Sequence, residues 1–221
     1  MIGSALPKLS IAIVLFAAQE QYPAEDHAWL RFKPGTWIKN KVILKANDVK
    51  RETFQKLTFT EKSDKDYSIE EVNTIDGKDQ PAVVRKAASG TIVGKETLTV
   101  EGKEVPCSIS AATTQHPEGA GEMKFWMPRG NKYPLKVVFT QPGFKGQVTA
   151  VAIDEKVKVC GREYVCAKLE GKVKLNDVDG KLTVWLSQSI PGAQAKMELT
   201  LDTPQGEFAM SVDPVEIHEE K

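Results

Sequence analysis

The stretch EKVKVCGREYVC, residues 155 to 166, holds two cysteines with five residues between them. Thiolates at such spacing could ligate a soft metal ion or join in a disulfide, provided that both sulfurs lie on one side of the chain. A two-residue type II′ turn at Gly161 and Arg162 would pair Cys160 with Glu163, Val159 with Tyr164, Lys158 with Val165 and Val157 with Cys166. Neighbouring pairs point to opposite faces, so Val157, Val159, Tyr164 and Cys166 share one face and Cys160 lies on the other. That geometry excludes a Cys160–Cys166 bridge, and no His lies nearby to complete a metal site. Because Val165, Ala167 and Leu169 are also in phase, a bulge near Cys166 would shift the face.

Cys107 makes the cysteine count odd, so one internal disulfide at most can form. A Cys107–Cys166 bridge stays open if their two segments pack face to face. Otherwise both are small core hydrophobes.

The other chemistry-bearing residues do not converge. His27, His116 and His218 are far apart, and none has a second His, Cys or carboxylate at metal-ligand spacing. Carboxylates are plentiful in Asp64–Asp66, Glu70–Glu71 and Asp177–Val178–Asp179–Gly180, yet nothing fixes two of them across a cleft as paired-acid hydrolysis requires. The last of these is a hairpin turn rather than a calcium loop, because the rest of the twelve-residue pattern is missing. No Ser or Cys nucleophile sits in a recognisable elbow. The expectation is a non-catalytic protein with no metal and no cofactor, a scattered-acid hydrolase ranking last.

The elements that carry these residues are strands. Val42, Leu44 and Ala46 alternate with Ile43 and Lys45, Leu57 and Phe59 flank Thr58, and Tyr67 and Ile69 flank Ser68. The same period runs through Met197, Leu199 and Leu201 and, after a turn at Pro204–Gly206, through Phe208, Met210 and Val212. Helical signal is confined to YPAEDHAWLRFKPG, which predicts a turn or two of helix. The 221 residues carry 30 basic and 30 acidic side chains, interleaved, which gives no footprint for nucleic acid or an anionic membrane. At the N-terminus Lys8 precedes an apolar run, Leu9 to Ala18, too short to span a bilayer but suited to a secretory signal. The predicted organisation is a signal peptide at 1–18, a short helix and linker at 19–36, and one antiparallel β domain at 37–221.

ETLTVEGKEVPC at 96–107 matches EKVKVCGREYVC at an offset of 59, and the same offset sets Trp126 on Trp185. This predicts an internal duplication of strand groups 90–144 and 149–212. Trp126 interrupts the alternation of Met123, Phe125 and Met127, and Trp185 that of Leu182, Val184 and Leu186, so each Trp shares a face with polar residues. Either the N-terminal helix with Trp29 and Phe32, or a loop, covers them, or they form an exposed surface for a ligand or partner.

A signal-like leader, a meander with few helices and a strand ending in VWLSQSIPG together resemble exported proteins of the lipoprotein-carrier superfamily, the Lol-type half-barrels. The chain is also similar to small secreted proteins of planctomycete-like bacteria in which a leader precedes AWLRFKPGTWIKNKV. The resemblance covers about residues 28 to 215. It implies a curved antiparallel half-barrel sheet around an apolar concavity, which in Lol-type carriers holds acyl chains. The internal duplication is not a hallmark of that family. The function expected from the resemblance is a periplasmic or secreted protein that binds a lipid, an acyl chain or an envelope protein, with Trp126, Trp185, Trp29 and Phe32 as candidate ligand residues. The competing expectation is a sandwich whose two halves cover each other and leave no site.

Overall fold

The computed structural model describes residues 28–62, 66–88, 91–116, 119–129, 133–204 and 206–220. The expected signal peptide and His27 lie outside them, as does the His116 side chain. The helix expected before the sheet is a single 3-10 turn, Ala28–Arg31. Everything after it is β: β1 (Trp37–Ala46), β2 (Val49–Lys62), β3 (Asp66–Ile75), β4 (Lys78–Asp79), β5 (Val83–Ala88), β6 (Thr91–Val100), β7 (Lys103–His116), β8 (Gly119–Pro128), β9 (Lys136–Gln141), β10 (Phe144–Val159), β11 (Arg162–Leu175), β12 (Val178–Leu186), β13 (Gln194–Thr203) and β14 (Gly206–His218).

These strands form one 14-stranded meander sheet in the order β4-β3-β2-β1-β14-β13-β12-β11-β10-β9-β8-β7-β6, with β5 also paired to β3. All of these strands thus belong to one continuous sheet.

The strand order dictates the shape. Laid flat, such a sheet would be roughly 55–60 Å across at the usual strand spacing. Yet β5 and β6, at its opposite margins, are consecutive in the chain, and only two residues separate Ala88 from Thr91. Three Cα steps of 3.8 Å limit that gap to about 11 Å, so the sheet has to curl until its margins meet. It is not closed by hydrogen bonds, because β5 pairs with β3 and β6 with β7, and not with each other. Each neighbouring pair is antiparallel, and twelve such steps lead from β5 to β6, an even number, so the two run in the same direction. The strands Val83–Ala88 and Thr91–Val100 thus follow one another in the same direction with different partners.

One face of the sheet is mostly apolar from β1 round to β8. The pairing places Val42, Val212, Met197, Val184, Leu169 and Ala150 in a single row. Two residues further along, Val148, Val137, Phe125 and Ser110 continue it. This is the face predicted by the period-two pattern, and it holds most of the buried core.

The hairpin at residues 155–166 departs from expectation by one step. Its turn residues are Cys160 and Gly161, both with positive φ (49° and 83°), which is a type I′ turn, and Val159 therefore pairs with Arg162, Val157 with Tyr164 and Glu155 with Cys166. The shared face of Val157, Val159, Tyr164 and Cys166 survives, because moving the turn by one residue slides the partner strand by two. A phase change also occurs near Cys166, where Cys166, Ala167 and Leu169 are all buried opposite register shifts between Ala150 and Glu155. The predicted turn at Asp177 is present between β11 and β12, with Asn176 and Asp177 in the left-handed region.

Candidate functional site

The apolar face of the curled sheet is stoppered at one end. Trp29 is fully buried and packs on Phe59, ring centroids 5.9 Å apart, and Phe59 meets Tyr67 edge-on at 6.4 Å. The approach segment is tied to β2 by Gly35 N donating to Phe59 O at 2.7 Å and Phe59 N donating to Thr36 O at 2.8 Å. At the same end the β12–β13 loop folds back on itself, Ser187 N donating to Ala193 O at 2.6 Å, and inserts Ile190 into the core.

The opposite end, where the turns at 47–48, 76–77 and 176–177 lie, has less cover. Ile38 and Val42 of β1 are buried, but Leu44 and Ala46, next on the same face, are half-buried. Val49, paired to Ala46, is 55% exposed, and Ile75, in phase with Tyr67 and Ile69, is 42% exposed. On the far wall Val173 and Leu182 are buried while Leu175 and Val178 are half-buried. Cover is thus lost at this rim along β1–β3 and β11–β12, while Phe144, Leu201 and Phe208 at the same end stay buried, and this partly open stretch is the most site-like feature among the described residues.

Set into this face is a polar group that sequence reasoning missed. Gln55 Nε2 and Asn73 Nδ2 each donate to Glu71 Oε1 at 2.8 Å, Arg85 Nε donates to Glu71 Oε2 at 2.7 Å, and Asn40 Nδ2 reaches Gln55 Oε1 at 3.5 Å. Asn40, Gln55 and Glu71 are buried. The carboxylate is thus matched by donors and a cation, the condition under which a buried charge is tolerated, and Arg85 ties the marginal strand β5 to β3. The signal was present in the sequence as Asn40 between Ile38 and Val42, Gln55 before Leu57 and Phe59, and Glu71 after Tyr67 and Ile69: polar residues in phase with an apolar face.

The four predicted site residues do not come together. Trp29 and Phe32 belong to the stoppered end, Phe32 half-buried. Trp126 and Trp185 lie on the other face of the sheet and are not exposed, at 7% each. Charged side chains of neighbouring strands stand over both rings. Trp126 Nε1 donates to Glu96 Oε2 and Lys136 Nζ stands 4.2 Å above its ring. Trp185 Nε1 donates to Glu155 Oε1 at 2.8 Å, with the Lys196 and Lys168 ammoniums 5.0 and 5.5 Å from its ring. In both cases the Glu precedes its Trp by 30 residues. Trp37 is roofed similarly by Lys56 at 4.5 Å and stacks on His218 at 5.6 Å.

All three cysteines are free thiols, so the Cys107–Cys166 bridge left open by the sequence is not formed, although β6 does lie against β10. Burial, then the nearby Glu155 carboxylate, pushes the Cys166 thiol up to about 11; burial, then Glu96, raises Cys107; burial, then Glu216, raises Cys160. Each shift disfavours the thiolate, the opposite of nucleophile activation. Among the described residues no three His, Cys, Asp or Glu side chains group so as to hold a metal ion, and no helix is long and apolar enough to cross a membrane.

No protein-family model matches the chain, and no curated protein matches it. Among solved structures it is similar to a protein with a YmcC-like fold from Bacteroides fragilis, at 10% identity over 85% of this chain and 97% of that one, TM-score 0.43. It is also similar to a protein domain from Vibrio parahaemolyticus named for outer membrane lipoprotein sorting, at 11% identity over 84% and 85%, TM-score 0.40. A third likeness is to the hypothetical lipoprotein YmcC of Escherichia coli, at 11% identity over 94% of each chain, TM-score 0.31.

Proposed function

We propose that this chain is an exported, non-catalytic protein that binds a lipid or acyl chain on the apolar face of its curled sheet, in the periplasm or outside the cell. The observation that carries this reading is the graded loss of cover along one face, from Ile38 and Val42 through Leu44 and Ala46 to exposed Val49 and Ile75. Apolar surface continuous with a core is stabilised by whatever removes it from water, at about 25 cal/mol per Å². A leader with Lys8 before Leu9–Ala18 supports export. Trp29 and Phe32 form the blind end of the site, and Trp126 and Trp185 brace the wall from behind rather than touch the ligand. Strand groups 90–144 and 149–212 are read as duplicated copies, supported by the 59-residue offset shared by the two Glu–Trp pairs and by the I′ turns at Glu101–Gly102 and Cys160–Gly161.

The test is titration with 1-N-phenylnaphthylamine, which fluoresces in apolar surroundings. Saturable enhancement is expected, weakened about tenfold or more by Ile75→Asp at the rim, where the side chain is exposed and folding is not at stake. Absence of saturable enhancement, or indifference to Ile75→Asp, contradicts the reading.

A second reading, docking of an envelope protein, is favoured by the run 83–100, where Val83, Val84, Ile92 and Val93 are exposed beside edges paired on one side only. Such edges accept an added strand. Protection of residues 83–97 from hydrogen exchange by an extended peptide, without protection of the rim, would favour this reading over the first.

A further inference from the structure

Gln141 ends β9 in phase with Val137 and Phe139, on the apolar face, and is 6% exposed. Pairing places it in one row with Phe144, Leu175 and Val178. Leu175 and Val178 are among the half-buried rim residues, so the whole row lies at the rim end, buried at Gln141 and Phe144 and half-buried at Leu175 and Val178. The carboxamide lies among apolar groups: Phe139 and Phe144 stack at 4.8 Å beside it, and its Nε2 finds only the Met123 sulfur, at 4.0 Å. Its Oε1 is buried with no hydrogen-bond partner among the described residues.

Turning the amide over does not cure this. The sulfur is a weak acceptor, so it favours the nitrogen, and the reverse orientation would set oxygen against sulfur and strand two N–H donors instead. A buried carbonyl oxygen without a donor costs on the order of 1–3 kcal/mol, and leucine would fill the same space without that cost.

We infer that Gln141 is the polar anchor of the site, accepting a hydrogen bond from the head of a single-chain amphiphile whose tail lies along the apolar face. This rests on the apolar-ligand reading above and specifies its ligand class. The head must be a donor, a hydroxyl or an amide N–H, because the orphan atom is an acceptor. It must also be neutral, since an unpaired charge beside Met123, Phe139 and Phe144 would be strongly disfavoured. A fatty alcohol, a monoacylglycerol and a fatty amide share this chemistry.

The experiment compares 1-dodecanol with dodecyl methyl ether, which keep the same chain and head oxygen but differ in the O–H, as competitors for bound 1-N-phenylnaphthylamine. The full chain should bind the alcohol about tenfold more tightly than the ether, the usual worth of one such hydrogen bond. Gln141→Leu and Gln141→Met should each erase the preference by weakening alcohol binding while leaving ether binding within about twofold; two variants guard against one that misfolds. Equal binding of alcohol and ether by the unmodified chain, or a preference that survives both substitutions, overturns the anchor and leaves the apolar site standing. Failure of both compounds to compete overturns the site itself, and the anchor with it.

Discussion

The wall β10–β13 and the run Val83–Val100 belong to the same sheet but are held in different ways. Each wall strand has a partner along both edges through its middle part, where the inward side chains Val148, Leu169, Leu182, Met197 and Leu199 are buried. The first part of the run pairs with β3 and its second with β7, neither has a strand along its other edge among the described residues, and Val84 and Ile92 are 60% and 67% exposed. Ile92 even stands opposite Ser110, in the row that is buried elsewhere. Identical strand chemistry thus yields a rigid element or a loose one according to whether a second neighbour is present.

Glycine substitutions should separate the two regions most sharply. At Gly171 in the wall an added Cβ would lie 1.8 Å from Gln147 O and 2.7 Å from the Val148 Cα, against backbone that cannot yield. Gly171→Ala should therefore cost more than about 4 kcal/mol and abolish soluble expression. At Gly94 in the run the nearest atom is Ile109 Cδ1 at 3.5 Å, an ordinary contact, so Gly94→Ala should stay within about 0.5 kcal/mol by chemical denaturation. Comparable losses at both positions would dissolve the distinction.

Glu71→Ala comes next. It leaves Arg85 without its carboxylate at a site where Glu71 is 1% exposed, for an expected loss of about 3 kcal/mol. Since Arg85 lies on β5, hydrogen exchange should accelerate across 83–88 first, with β10–β13 unchanged; a uniform acceleration would show that the margin is not a separate unit.

Smaller effects are expected at the paired tryptophans. Trp126→Phe and Trp185→Phe each remove one N–H donor to a carboxylate and keep most of the ring, for about 1–2 kcal/mol apiece. The two losses should agree within about 0.5 kcal/mol if the clusters are equivalent. A pronounced inequality would argue against the duplicated reading.

The smallest effect is a pH dependence. The folded Cys166 thiol holds its proton up to about pH 11, whereas the unfolded one titrates near 9. Its contribution is fully present below pH 9 and is lost as pH rises towards 11. Denaturation curves at pH 8 and 10.5 should show a steeper loss for the unmodified chain than for Cys166→Ala.

Local features were legible in the sequence because period two is a local signal. The shared face of Val157, Val159, Tyr164 and Cys166, the inward apolar positions and the out-of-phase placement of Trp126 and Trp185 all follow from it. The turn at Cys160–Gly161 was misplaced because Gly161 with Arg162 suits type II′, whereas a non-glycine residue with positive φ, as at Cys160, is hard to foresee. The sequence leaves the cover of the tryptophans open between a helix, a loop and an exposed surface; the lysines and glutamates of neighbouring strands that meet them are not revealed by single-strand patterns. The pairing of β1 with β14, and with it the curl, depends on contacts across nearly the whole chain. The polar residues on the apolar face, Asn40, Gln55, Glu71 and Gln141, were readable as breaks in alternation, although their partners were not.

The measurement that bears most directly on the apolar site is native mass spectrometry of the chain, exported and purified without detergent, compared with its denatured mass. An adduct lost on denaturation, with a mass matching a neutral single-chain amphiphile, is the expected result. A bare chain that also takes up no 1-dodecanol when it is supplied would contradict it.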